Sequence, residues 1–278
     1  MDQNKQQNSN RRLVIGLFAS LLGLSALLLV ACAPSPAIPK TALDDQPPRM
    51  VSAFFGLDNE IPSIRLRGAD GMPVTFTKRV ADPGSIEPEA FTVVTRSGAK
   101  MQPLHATTRP ANEAIKRHTV LLLGEFGNEP EDPPVKVELT GHLNLVGGDD
   151  AHGLSVEVTP LKDGPSLVLA YAVNPEDFGS DYPPETKQIV VVIWNGGVEP
   201  IAGVSNEDHR LGYTIEMKGG DIVNPIALGD IGGDNYEYLY LDTAATPLRV
   251  SMKGGLLKDP RSDPNPATSV EVAGAVDR

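Results

Sequence analysis

Cysteine is almost missing from this chain: 278 residues carry one, Cys32. A single thiol excludes an internal disulfide framework and a cysteine-built metal or redox centre, so the folded part must be held by its own apolar core. Tryptophan is as scarce, with Trp194 alone, and aromatic residues make up only 5% of the sequence. Positive charge is in deficit, 24 Lys and Arg against 36 Asp and Glu, for a net charge of −12. An acidic surface repels phosphate backbones and anionic headgroups, which argues against nucleic acid or a lipid surface as partner. The sequence also holds no glycine-flanked serine elbow, phosphate-cradling glycine loop or dinucleotide fingerprint. Long apolar runs are missing too, apart from one at residues 13–30.

That run follows Lys5, Arg11 and Arg12 and ends in Leu29-Val30-Ala31-Cys32. About eighteen apolar residues can just span a bilayer as an uncleaved anchor, but the only cysteine stands at the end of the run, behind the small Ala31. The order resembles a bacterial lipoprotein signal peptide: cationic start, apolar middle, small residues, then a cysteine that becomes the lipidated first residue. The resemblance implies cleavage between Ala31 and Cys32 and acylation of Cys32, where two or more chains anchor a protein stably. Ala33 in place of aspartate after the cysteine implies, by likeness to enterobacterial sorting, the outer membrane rather than the inner one. Losing residues 1–31 removes three positive charges and one negative, taking the net from −12 to −14. Residues 32–50, with Pro34, Pro36, Pro39, Pro47 and Pro48, read as the lipidated end and an extended tether rising about 3.1 Å per residue.

The rest predicts an all-β protein. Its 27 glycines and 25 prolines break the chain too often for long helices. Between the breaks lie six runs rich in β-branched and aromatic residues, at 51–57, 74–77, 91–95, 119–123, 135–139 and 155–158. Six more follow at 166–173, 189–194, 213–217, 238–241, 248–252 and 269–272. Six and six suits two small sandwiches, placed at 51–162 and 163–278. The two series also match in sequence. Phe91-Thr-Val-Val-Thr-Arg-Ser-Gly98 and its continuation to Pro103 lie over Tyr213-Thr-Ile-Glu-Met-Lys-Gly-Gly220 and its continuation to Pro225. Val74–Thr77 overlies Val191–Trp194, Pro134 overlies Pro247, and Ser155-Val-Glu-Val158 recurs as Ser269-Val-Glu-Val272. Each change of offset falls in a polar or glycine-rich loop, as expected of a duplicated β domain.

The pattern Pro73-Val-Thr-Phe-Thr-Lys-Arg-Val80, Asp82-Pro83, Ile86 and Phe91-Thr-Val93 resembles bacterial Ig-like domains of surface-layer type. The likeness covers residues 60–160 and, more faintly, the second half, where Asn195-Gly196-Gly197 replaces the basic pair. It implies two tandem Ig-like β-sandwiches, acting as an extracytoplasmic spacer, adhesive or partner-binding module with no catalytic residues of their own.

Three constellations bear on chemistry. Asp230, Asp234 and Asn235, with Asp259, Asp263 and Asn265, offer clustered oxygens of the kind calcium takes, although these are also the ordinary residues of tight turns. His142, Asp149, Asp150 and His152 have a weak zinc-like spacing and read better as solvated turn residues. Ser97-Gly-Ala-Lys100 fits the S-x-x-K pattern, but it sits in a hairpin turn whose counterpart is Gly219-Gly-Asp-Ile222. Tyr236, Tyr238 and Tyr240, two apart on a strand, share one face and form either core or a contact surface for a protein or glycan. The expectation is a lipid-anchored, non-enzymatic envelope protein with a structural or partner-binding role. The alternatives are a calcium-dependent adhesion module and an unrecognised envelope enzyme.

Overall fold

A computed structural model of the chain describes residues 40–61, 66–178 and 181–274. Cys32, the apolar run before it and most of the proline-rich segment lie outside these residues. Among the described residues no helix is long and apolar enough to cross a membrane.

The first half contributes strands β1 (Met50–Phe54), β2 (Asp70–Phe76), β3 (Phe91–Thr95), β4 (Lys100–Met101), β5 (His105–Thr107), β6 (Thr119–Gly124), β7 (Pro134–Leu139) and β8 (Ser155–Thr159). The second begins with β9 (Leu167–Val173), helix α1 (Pro175–Phe178), β10 (Gln188–Trp194), β11 (Glu199–Pro200), helix α2 (Asn206–Gly212) and β12 (Tyr213–Met217). It continues through β13 (Ile222–Val223), β14 (Ala227–Gly229), β15 (Tyr236–Leu241), β16 (Pro247–Met252), β17 (Leu257–Lys258) and β18 (Thr268–Ala273). All twelve runs read from the sequence coincide with strands. The short edge strands and α2 were not legible. Helix α2 exists because Ser205 and Asp208 form a capping box, each side chain bonding the other's backbone N–H.

Each half holds one eight-stranded sheet curled on itself, in the order β4-β3-β7-β8-β1-β2-β6-β5 and, in the second, β13-β12-β16-β18-β9-β10-β15-β14, with β11 and β17 paired apart as a two-stranded sheet. The orders are equivalent strand for strand. Among the described residues the one parallel pair of each half joins the first and last strands of its eight-stranded sheet, β1 with β8 and β9 with β18. Curling brings β1-β2-β6-β5 to face β8-β7-β3-β4, the strand order of an immunoglobulin-type sandwich. Two all-β sandwiches in one chain are therefore the architecture.

The repeat extends to register. Phe91 pairs with Leu139 and Thr95 with Pro134 across an irregularity, and Tyr213 pairs with Met252 and Met217 with Pro247 across the same one. One alignment shifts by a residue. Ala53 opposes Val74 while Ala170 opposes Val192, so Val74 is equivalent to Val192, not Val191, and Phe76 to Trp194. Side chains alternate across a strand, and only this shift puts both large rings inside their sandwiches, where each is fully buried.

Alternation places Met72, Val74, Phe76, Val120 and Leu122 against Phe91, Val93, Val137 and Leu139 in the first core. The second core repeats this with Val190, Val192, Trp194, Leu239 and Leu241 against Tyr213, Ile215, Met217 and Val250. One substitution changes its chemistry. Ladder pairing with Val74 and Val192 places Val120 and Glu237 at equivalent positions, so a carboxylate points into the second core. Fully buried Glu237 is met by His209 of α2, whose Nε2 lies 3.1 Å from Oε1, and by the Tyr213 hydroxyl, which donates to it. Tyr213 in turn accepts from Trp194 Nε1 at 3.2 Å. Buried polar groups persist only when partnered, and α2 supplies the partner. The first unit has instead a short turn of helix at Pro88–Ala90 and an apolar site.

The described end of the expected tether, residues 40–50, packs on the body of the protein. Thr41 and Leu43 are buried, Asp44 Oδ2 pairs with the buried Arg79 guanidinium at 2.7 Å, and Met50 already belongs to β1. An apolar leucine and a desolvated ion pair dock this segment.

Removing one member of a buried hydrogen-bonded pair leaves the other unsatisfied, at a cost of about 1–3 kcal/mol. Glu237→Val is expected to destabilise the protein by that amount in urea unfolding. Adding His209→Leu should recover most of the loss. Failure of the second substitution to recover stability would contradict this account of the network.

Candidate functional site

The second sheet is buried on both faces. Val190, Val192 and Trp194 of β10 face the second core, while Ile189, Val191 and Ile193 pack with Tyr171, Tyr236 and Tyr240 on the other side. That outer face is covered by the first half. Leu43 and Ala111, with the partly buried Ile115, complete the cluster. Ala111 and Ile115 come from the loop between β5 and β6, residues 108–118, which is longer than its counterpart at 230–235. The two equivalent loops meet and form a seam between the sandwiches.

Backbone and hydroxyl groups close the seam. The Tyr171 hydroxyl donates to the Ile115 carbonyl at 2.9 Å, and the Tyr236 hydroxyl donates to the Lys116 carbonyl while accepting from the His118 N–H at 3.1 Å. Asn235 Nδ2 donates to Thr119 Oγ1 at 3.0 Å and to the Trp194 carbonyl at 2.8 Å. His118 is fully buried and held through Nδ1 to the Phe76 carbonyl at 3.2 Å. Burial, helped by the Arg79 charge, pushes its pKa down to about 3.

At the centre stands Lys116, 6% exposed, with its ammonium 2.6 Å from Asp230 Oδ2 and 2.8 Å from Asp234 Oδ2. Burial works against the ammonium, but the hydrogen bonds and charges of the two aspartates outweigh it and raise its pKa. Lys116 thus takes the place between the carboxylates that a cation would need. Asn235 is committed to the seam. Asp259 accepts the N–H groups of Arg261 and Asp263, while Asp263 lies 3.5 Å from the Arg261 guanidinium. Asn265 Oδ1 accepts from Leu256 and Leu257, and its Nδ2 donates to the Lys253 and Pro266 carbonyls. The six residues considered for calcium therefore serve one seam and one turn. Among the described residues no group of three or more His, Cys, Asp and Glu is placed to hold a metal ion.

The tyrosine stripe is mostly packed against the protein itself. Tyr236 and Tyr240 are buried, and half-buried Tyr238 packs edge-on beneath Phe178 of α1, centroids 4.5 Å apart, with Lys116 Nζ 5.8 Å from its ring. Of the contact surface considered for these residues, Tyr236 is taken up by the protein's own first half, while Tyr238 and Tyr240 border an open groove with Phe178 and Tyr182. Ser97 does not meet Lys100: its hydroxyl bonds Asp132 at 2.8 Å, and Lys100 is 68% exposed beside Glu138. His142, Asp150 and His152 do come together, whereas Asp149 pairs with Lys78.

Beside the seam lies an apolar cavity of about 210 Å³, lined by Phe54, Pro73, Ala111 and Leu121 from one half and the backbone of Gly196 and Gly197 from the other. Glycine is required at 196, where a Cβ would stand 2.6 Å from Phe54 Cδ1. Lys116, His209 and Glu237 were missed from sequence. The signals were the unequal lengths of two equivalent loops and a glutamate at an inward position of β15.

No protein-family model matches the chain, and no curated protein matches its sequence.

Lys116→Met would leave Asp230 and Asp234 together without a counter-charge, an expected loss of about 3 kcal/mol in urea unfolding; a loss below about 0.5 kcal/mol would contradict the seam's role. A pH dependence follows from His118. The unfolded ring gains a proton as pH falls through its ordinary value of 6.5, whereas the folded ring stays neutral to about 3, so acid favours the unfolded chain. Stability linked to His118 is complete above about pH 6.5 and is lost progressively toward pH 3. The difference in stability between wild type and His118→Gln, measured by urea unfolding from pH 4 to 8, should rise with pH; a flat difference would refute it.

Proposed function

We propose that this chain is a lipid-anchored, non-enzymatic protein of the bacterial cell envelope, held through acylated Cys32, whose paired sandwiches act as one stiff partner-binding body. The seam carries the reading. A protein whose side chains are spent on joining two β units, with Lys116, Tyr171 and Tyr236 all committed to that joint, is built for shape rather than turnover. The likeness of residues 60–160 to surface-layer-type Ig-like domains supports a spacer or binding role, and the order of residues before Cys32 supports the anchor. Acidic charge on the mature chain favours a protein or glycan partner over an anionic one. The apolar cavity at the seam offers a partner's apolar side chain a seat that both halves shape.

Expression of the full chain and of Cys32→Ser in a bacterial host tests the anchor. Wild type should partition into detergent and show a diacylglyceryl mass increment on Cys32, while the variant should be released in soluble form. An unmodified thiol on wild type would contradict the anchor. Turnover of a generic ester, glycoside or peptide substrate, abolished by one point substitution, would contradict the non-enzymatic reading.

A further inference from the structure

The loop between β7 and β8 is a tongue pinned on both sides. Leu143, Leu145 and Ala151 anchor it in the first core, Asn144 and Asp150 bridge across it, and Leu145 bridges to Val80. Asp149 is tied to Lys78, and the Val146 N–H donates to the Arg79 carbonyl at 2.8 Å. On this rigid support two exposed histidines stand together, His142 and His152, with ring centroids 5.2 Å apart and planes tilted by 30°.

Their hydrogen bonds define their chemistry. His142 Nδ1 lies 2.5 Å from Asp150 Oδ2, and His152 Nδ1 lies 3.0 Å from the Gly141 carbonyl. A carbonyl and a carboxylate only accept, so in each neutral ring Nδ1 carries the proton and Nε2 carries the lone pair. Neither Nε2 has a partner among the described residues. Asp150 is held in place by the N–H groups of Leu143 at 3.1 Å and His152 at 2.9 Å. A histidine whose Nδ1–H is tied to a carboxylate or backbone carbonyl while Nε2 stays free is the arrangement of metal-binding imidazoles, where the outer acceptor fixes the ring and raises its basicity. The spacing agrees. With metal–nitrogen bonds of about 2.0–2.1 Å, two rings sharing one tetrahedral ion have centroids about 5 Å apart.

We infer that His142 and His152 form a two-histidine site for a divalent transition-metal ion of the zinc type, oriented by Asp150 and the Gly141 carbonyl. Two protein ligands are fewer than a closed structural site uses, so water fills the remaining positions and they stay open to a donor from outside. Nitrogen ligands select zinc, copper or nickel over calcium and magnesium. Of the five histidines, His118 and His209 are buried, and the other exposed one, His105, lies on β5 at the far edge of the sheet.

The test is calorimetric titration of the untagged, metal-free protein with Zn²⁺ alone, against His142→Ala, His152→Ala and the double variant. All substitutions are at exposed positions, and circular dichroism checks that they fold. One ion per chain is expected, with affinity reduced at least tenfold in each single variant and saturable binding lost in the double. No saturable binding to wild type, equal binding by either single variant, or binding that survives in the double would each overturn the assignment.

Discussion

A sheet with both faces apolar has to be covered twice, and that requirement organises this molecule. Strand β10 reads Gln-Ile-Val-Val-Val-Ile-Trp, a continuous run of the kind that belongs to strands buried on both sides. One side is satisfied by its own sandwich. The other must be sealed from outside that sandwich, and the 108–118 loop with Leu43 seals it. Once that loop lies over the tyrosines, its polar backbone is in a dry place, which is why Tyr171, Tyr236 and Asn235 hydrogen-bond to it or to the strand that follows. Lys116 then brings a positive charge between two aspartates that would otherwise repel.

The repeats diverge where this joint is made. Strand order, register and even the irregularity in the β3–β7 and β12–β16 ladders are shared, so the sandwiches are copies of one plan. The loops that meet at the seam are unequal: 108–118 projects, whereas 230–235 is short and acidic. The second core also trades Phe76, Phe91 and Val120 for Trp194, Tyr213 and Glu237, with α2 inserted to bring His209 to the carboxylate. Replacing a buried apolar group by a hydrogen-bonded polar one adds little net stability by itself; here it ties α2 to the core.

Strand positions were legible because alternation and the Gly and Pro breaks are local signals. The equivalence of the halves was legible from short matches, off by one residue only in β2 and β10, where two aromatic rings decide the parity. The seam was not legible. Asp230 and Asp234 look the same in sequence whether they bind an ion, cap a turn or hold a lysine from a residue more than a hundred positions away. Tyr236, Tyr238 and Tyr240 share a face by spacing alone, but whether solvent or protein lies over that face depends on a loop from the other half. The same limit applied to His142 and His152, whose pairing depends on how the tongue between them folds.

The central claim is that the seam makes two sandwiches one cooperative body. Differential scanning calorimetry of the protein measures this directly, because a two-state unit gives equal calorimetric and van't Hoff enthalpies. The account predicts one transition with that equality. Two resolved transitions, or a calorimetric enthalpy near twice the van't Hoff value, would contradict it.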